Sequence, residues 1–134
     1  MSQATLETNP DAAIFEMGHR LAELDREHRK FHEASVQLRR RGQHPESDAA
    51  NKLMDLISKE QCQLEWKAIY TPAATPEGHE EKLRIVDRMS FSFNPDVIAE
   101  IMWMLAYEAG RLGISDTIPQ RFKRAFADAA AEAA

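Results

Sequence analysis

The chain has 134 residues, 43% of them hydrophobic and 29% charged, a length and balance that fit one folded domain and exclude wholesale disorder or a fibrous repeat. Its formal charge of −5 removes any global electrostatic pull toward nucleic acid or an anionic membrane, leaving only local basic patches to consider. The lone Cys62 allows no intrachain disulfide, so a reducing, cytoplasmic setting is expected.

Residues 1–9 hold no basic stretch followed by an apolar one, so no secretory signal is expected. From 10 to 41, Ile14, Met17, Leu21, Leu24, His28, Phe31, Ser35 and Leu38 recur at alternating steps of three and four, the seam of an amphipathic helix. Asn9 before Pro10 gives a capping start. Arg39, Arg40 and Arg41 complement the negative end before Gly42 stops the helix. Residues 43–46, with Pro45, predict a turn, and Ser47 is placed to cap a second helix to about residue 70. Its seam is Met54, Ile57, Gln61, Leu64 and Ala68, widened by Leu53 and Leu56, with Cys62 expected as a buried thiol beside it.

Two long helices with a short connection pack antiparallel. A turn centred near His44 sets His28 opposite Glu60 or Gln61, a buried polar pair that would fix register. A first helix of about 31 residues is roughly 46 Å long, more than the roughly 36 Å diameter of a compact globule of this length. The hairpin is therefore expected to project or to be flanked by a partner.

Two prolines in 71–76 end the hairpin. Thr75 then caps a short helix with Pro76 at its first position, running through Leu83, Val86 and Met89. Asn94 and Pro95 repeat that start for a helix over 96–112, ended by Gly113. This fourth helix is apolar on nearly its whole circumference between Val97 and Tyr107, so this chain or another copy must cover it. Its most apolar run, 101–107, is too short to span a bilayer. A last helix begins between Asp116 and Pro119, carries Ile118, Phe122 and Phe126, and ends in alanines. The expected fold is all-α: one domain over 1–134, with a helical hairpin over 10–70 followed by three shorter helices over 75–130.

Few residues are spaced for chemistry. Glu16 and His19 form one Glu-x-x-His pair, and His28 and His32 lie one turn apart, where with Glu60 they could share a metal. A carboxylate-bridged di-metal bundle needs that pair twice, and the sequence holds it once, so these histidines are expected to be structural. No Gly-rich phosphate loop, serine elbow, Cys-x-x-Cys or His-Glu-x-x-His is present. Neither an enzyme nor a bound cofactor or metal is expected.

The segment 112–124, with Gly113 at a turn and Arg121, Lys123 and Arg124 on the helix after it, resembles the turn and second helix of helix-turn-helix DNA-binding domains. The resemblance implies a small DNA-binding regulator. The alternative is a glycine cap followed by an ordinary amphipathic helix with solvated cations. Thr71-Pro72-Ala73-Ala74-Thr75-Pro76-Glu77-Gly78, followed by Lys82-Leu83, is similar to a Thr-Pro-Ala-x-Thr-x-x-Gly-x-x-x-Lys-Leu pattern. That pattern occurs in small helical proteins of α-proteobacteria and their prophages, where it also follows a helical hairpin. The likeness implies a cytoplasmic, prophage-derived protein and carries over no activity. In physical terms, Thr75 as a cap and Gly78 as a point of close backbone approach make the segment a packed corner.

The expectation from the whole sequence is a non-enzymatic interaction or assembly protein, homo-oligomeric or bound to another protein, without a membrane partner. Met102, Trp103 and Tyr107 form the expected contact surface. DNA binding through Arg121, Lys123 and Arg124 is the alternative.

Overall fold

The computed structural model describes residues 9–89, 95–115, 118 and 120–133, with the side chains of 121, 122, 129 and 133 left aside. Five helices and no strand occur among the described residues: α1 Ala12–Arg40, α2 His44–Tyr70, α3 Pro76–Asp87, α4 Pro95–Arg111 and α5 Gln120–Ala133. The fold is all-α, a long hairpin of α1 and α2 followed by shorter helices.

Helix α1 ends as its glycine predicts. Gly42 has φ +75°, and the Gln43 and Gly42 amides donate to the Leu38 and Arg39 carbonyls at 2.9 and 3.0 Å, capping the last turn. Gly113, at φ +71°, ends α4 in the same way, with the Ile114 amide donating to the Ala109 carbonyl at 2.9 Å.

Helix α2 starts earlier than expected. It begins at His44, with Pro45 in its first turn, where a missing amide costs nothing. Ser47 is buried, and its hydroxyl donates to the Ser35 carbonyl at 3.1 Å. The Ser35 hydroxyl donates in turn to Asn51 Oδ1 at 2.9 Å. Ser47 thus stitches the two helices together across the turn instead of capping one of them.

Because the reversal is centred on Gly42 rather than His44, α1 residues meet α2 residues a few places earlier than expected. Glu60 does not meet His28. Arg20 takes it in a two-pronged pair, through Nε at 2.7 Å and Nη2 at 3.2 Å, and His28 is half-buried. Leu53 and Leu56 are exposed, since they lie beside the seam and none of the described helices packs on that flank. Cys62 is exposed as well, one residue off the seam position Gln61, which corrects its expected burial.

The core sits at the open end of the hairpin. Ile14, Met17 and Leu21 of α1 pack with Ala68, Ala73 and Ile85. A second cluster joins Ile69 to Leu83, Val86 and Met89 and to Ile98, Ile101 and Leu105 of α4, with Ile118 and Phe126 packed against it. Helix α3 is the wedge between the two, since Ile85 faces α1 while Leu83 and Val86 face α4. Apolar burial of this kind is the dominant stabilising term. Toward the turn the buried side chains shrink to Ser35, Ser47 and Ala50.

Candidate functional site

Two features combine at the open end of the hairpin: a buried polar corner and an exposed aromatic face. The corner is the segment linking α2 to α3. Thr75 caps α3, its Oγ1 accepting the Gly78 amide at 3.2 Å. The same hydroxyl donates to Asp11 Oδ2. Asp11, buried just before α1, also accepts the Ala74 amide on Oδ1 at 2.8 Å and the Thr75 amide on Oδ2 at 3.0 Å. A Cβ at position 78 would stand 2.1 Å from Asp11 Oδ2 and 2.8 Å from its Cβ, so only glycine lets the carboxylate come so close. Asn9, expected to cap α1 directly, instead accepts the Asp11 amide at 2.9 Å and so orients Asp11.

On the other side of the corner Glu108, from the inward face of α4, gathers three donors. The Ala73 amide and Lys82 Nζ donate to its Oε2, each at 2.9 Å. His79 Nδ1 lies 2.8 Å from Oε1, and an ionised carboxylate requires that nitrogen to be the donor. Lys82 also donates to the Thr71 carbonyl at 3.0 Å, and Arg111 to the Ala73 carbonyl at 2.6 Å. Burial pushes the Glu108 carboxyl up, but the Ala73 amide, His79 and Lys82 together hold it below its ordinary value of 4.5. His79, Lys82 and Glu108 are all buried. The side chains best suited to acid, base or nucleophilic work are thus committed to one another and to the backbone.

The cluster lies outside the candidate residues that spacing along the sequence selects. Its signal was present: His79 and Lys82 fall on the apolar face of α3, and Glu108 falls among the apolar positions Leu105 and Ala109 of α4. Unlike charges that interrupt two facing stripes imply a buried pair.

The exposed face lies on the opposite side of α4. Trp103 and Tyr107 are 65% and 62% exposed and stack on each other, their ring centroids 5.4 Å apart. Tyr70, at the end of α2, is also exposed and stacks on Trp66 at 5.9 Å. Between Tyr70 and Pro72 on one side and Trp103 and Tyr107 on the other runs a cleft of about 450 Å³, underlain by Lys82 and Glu108, with Arg111 along its edge. Met102, expected on the contact surface, is half-buried against the core instead.

Other expected sites fall elsewhere. His32 is exposed, and Glu60 is held by Arg20. Among the described residues no three His, Cys, Asp or Glu side chains are grouped so as to hold a metal ion. In the segment 112–124, Arg124 is exposed and Lys123 half-buried, while Asp116, Thr117, Pro119 and the Arg121 side chain lie outside the described residues. No described helix is long and apolar enough to cross a membrane.

Protein-family models, characterised proteins and solved structures offer no match to this chain.

Proposed function

We propose that this chain is a non-enzymatic helical interaction protein that associates with itself through the outward face of α4. The observation that supports this most is the stacked, largely exposed pair Trp103 and Tyr107 on a helix whose other side is in the core. Paired aromatics left in water are costly in a monomer, and covering them contributes about 1.5–3 kcal/mol for each large side chain. Trp and Tyr are also the residue types that anchor interfaces.

The mutual commitment of His79, Lys82 and Glu108 supports a structural role for the buried corner over a catalytic one. A cytoplasmic setting and a prophage origin belong to the same proposal. They rest on the lone thiol Cys62, exposed on α2, and on the 71–83 segment.

Size-exclusion chromatography with light scattering tests the proposal. The parent chain is expected at about twice its 15.2 kDa, and Trp103→Ser with Tyr107→Ser at the monomer mass with unchanged helicity. A parent that stays monomeric at high micromolar concentration would remove the proposal.

A further inference from the structure

The exposed stripe of α4 carries more than aromatics. Glu100, Trp103, Tyr107 and Arg111 follow one another at steps of three and four, so they form one line along the helix. The acid stands at one end and the guanidinium at the other, eleven residues or roughly 16 Å apart, with the two rings between them. Such a line is complementary to itself when reversed. In an antiparallel pair, the register that sets Trp103 opposite Tyr107 brings Glu100 within one residue of Arg111 on the facing helix, and does so at both ends at once. A parallel pair would instead set acid against acid and base against base.

Three observations agree with the reversed arrangement. Antiparallel helices also oppose their dipoles favourably. Among the described residues Arg111 donates through Nη2 alone, to the Ala73 carbonyl, which leaves further donors of its fork for a carboxylate. Gly110, on the same exposed side, has nothing within 4 Å of where a Cβ would be. A helical glycine costs about 1 kcal/mol relative to alanine, no contact among the described residues requires it, and it would let a second backbone come close.

We propose that two copies pack their α4 helices antiparallel about a two-fold axis. Glu100 of each copy then pairs with Arg111 of the other, and Trp103 sits against Tyr107 of the other. This rests on the self-association proposed above and adds its geometry. A two-fold contact must be complementary to itself, and this stripe is.

Charge reversal tests it on the full chain. Glu100→Arg alone sets Arg against Arg at both ends, and Arg111→Glu alone sets Glu against Glu. Each is expected to weaken self-association at least about tenfold, while an equal mixture of the two forms mixed dimers with both pairs restored. Circular dichroism checks that each variant is folded. Should Arg111→Glu fail to fold for want of its bond to Ala73, disulfide trapping replaces the charge reversal as the test. With Cys62→Ser as background, Glu100→Cys mixed with Gly110→Cys, which face one another in this register and leave both rings in place, is expected to give the mixed disulfide in preference to either homodimer.

Single variants that remain dimers, a mixture that remains monomeric, or homodimer cross-links at position 100 would overturn the antiparallel pairing while leaving self-association standing. A parent chain that never dimerises would remove both.

Discussion

Asp11 and Thr75, at the starts of α1 and α3 and 64 positions apart, share a hydrogen bond in which the same threonine hydroxyl also caps α3. One carboxylate thereby fixes the entry of the first helix against the exit of the second and the beginning of the third. Asp11→Ala removes the acceptor for two amides and a hydroxyl, and is expected to cost about 2 kcal/mol or more. Thr75→Ala, losing the cap, should cost about 1 kcal/mol. Because the two groups share a bond, urea melts of the double variant should show a loss smaller than the sum of the singles.

Gly78→Ala forces a Cβ into the Asp11 carboxylate. A destabilisation of about 1–3 kcal/mol is expected in the same melts, as for other overpacked sites. Combining it with Asp11→Gly, which clears the obstructing side chain, should cost less than the two losses added together.

The Glu108 cluster should show itself in acid. Its carboxyl lies lower in the folded chain than the ordinary 4.5, so its contribution is fully present above that value and is lost as pH falls below it toward the folded value. Glu108→Gln should flatten that acid limb of the stability profile. Lys82→Met, which leaves a buried carboxylate without its cation, is expected to cost about 3–5 kcal/mol near neutral pH.

Glu65, half-buried on α2, behaves in the opposite sense. Desolvation raises its carboxyl to about 7, so the folded state is favoured most when this group is protonated. That contribution is complete below the ordinary value of 4.5 and is lost as pH rises through about 7. Glu65→Gln should therefore stabilise the chain at pH 8, by about 1 kcal/mol once partial solvation is allowed for, and change little at pH 4. Thermal melts at the two values give the comparison.

Hydrogen exchange should divide the hairpin. Around Ser35, Ser47 and Ala50 the buried side chains are small or polar, whereas Ile14, Met17, Ala68 and Ile69 belong to the packed clusters. Amides toward the turn are expected to exchange faster than those at the base. Equal protection along both helices would contradict this division of the core.

The helices were legible in the sequence because their signals are local. Three-four spacing, Thr75 before Pro76, and Gly42 and Gly113 at positive φ act within one or two turns of chain. The contacts that place the helices were not legible in the same way. Glu108 reaches Ala73, His79 and Lys82 across 26 to 35 positions, and spacing along a single helix cannot name such partners. The sequence suggests a buried imidazole opposite an acid at His28 and Glu60, and the structure has that chemistry at His79 and Glu108 instead. At the hairpin the shift follows from the position of the turn, which sets Arg20 rather than His28 beside Glu60. Leu53, Leu56 and Cys62 show the same limit, since a hydrophobic residue beside a seam is buried only if a third element covers that flank.

Sedimentation equilibrium of the intact parent chain, from low micromolar to near-millimolar concentration, tests self-association through α4 most directly. Pairing through α4 gives a mass that rises from one chain to two and stops there, with Trp103→Ser holding it at one. A parent mass that stays at one chain throughout, or a Trp103→Ser variant that still doubles, would contradict it.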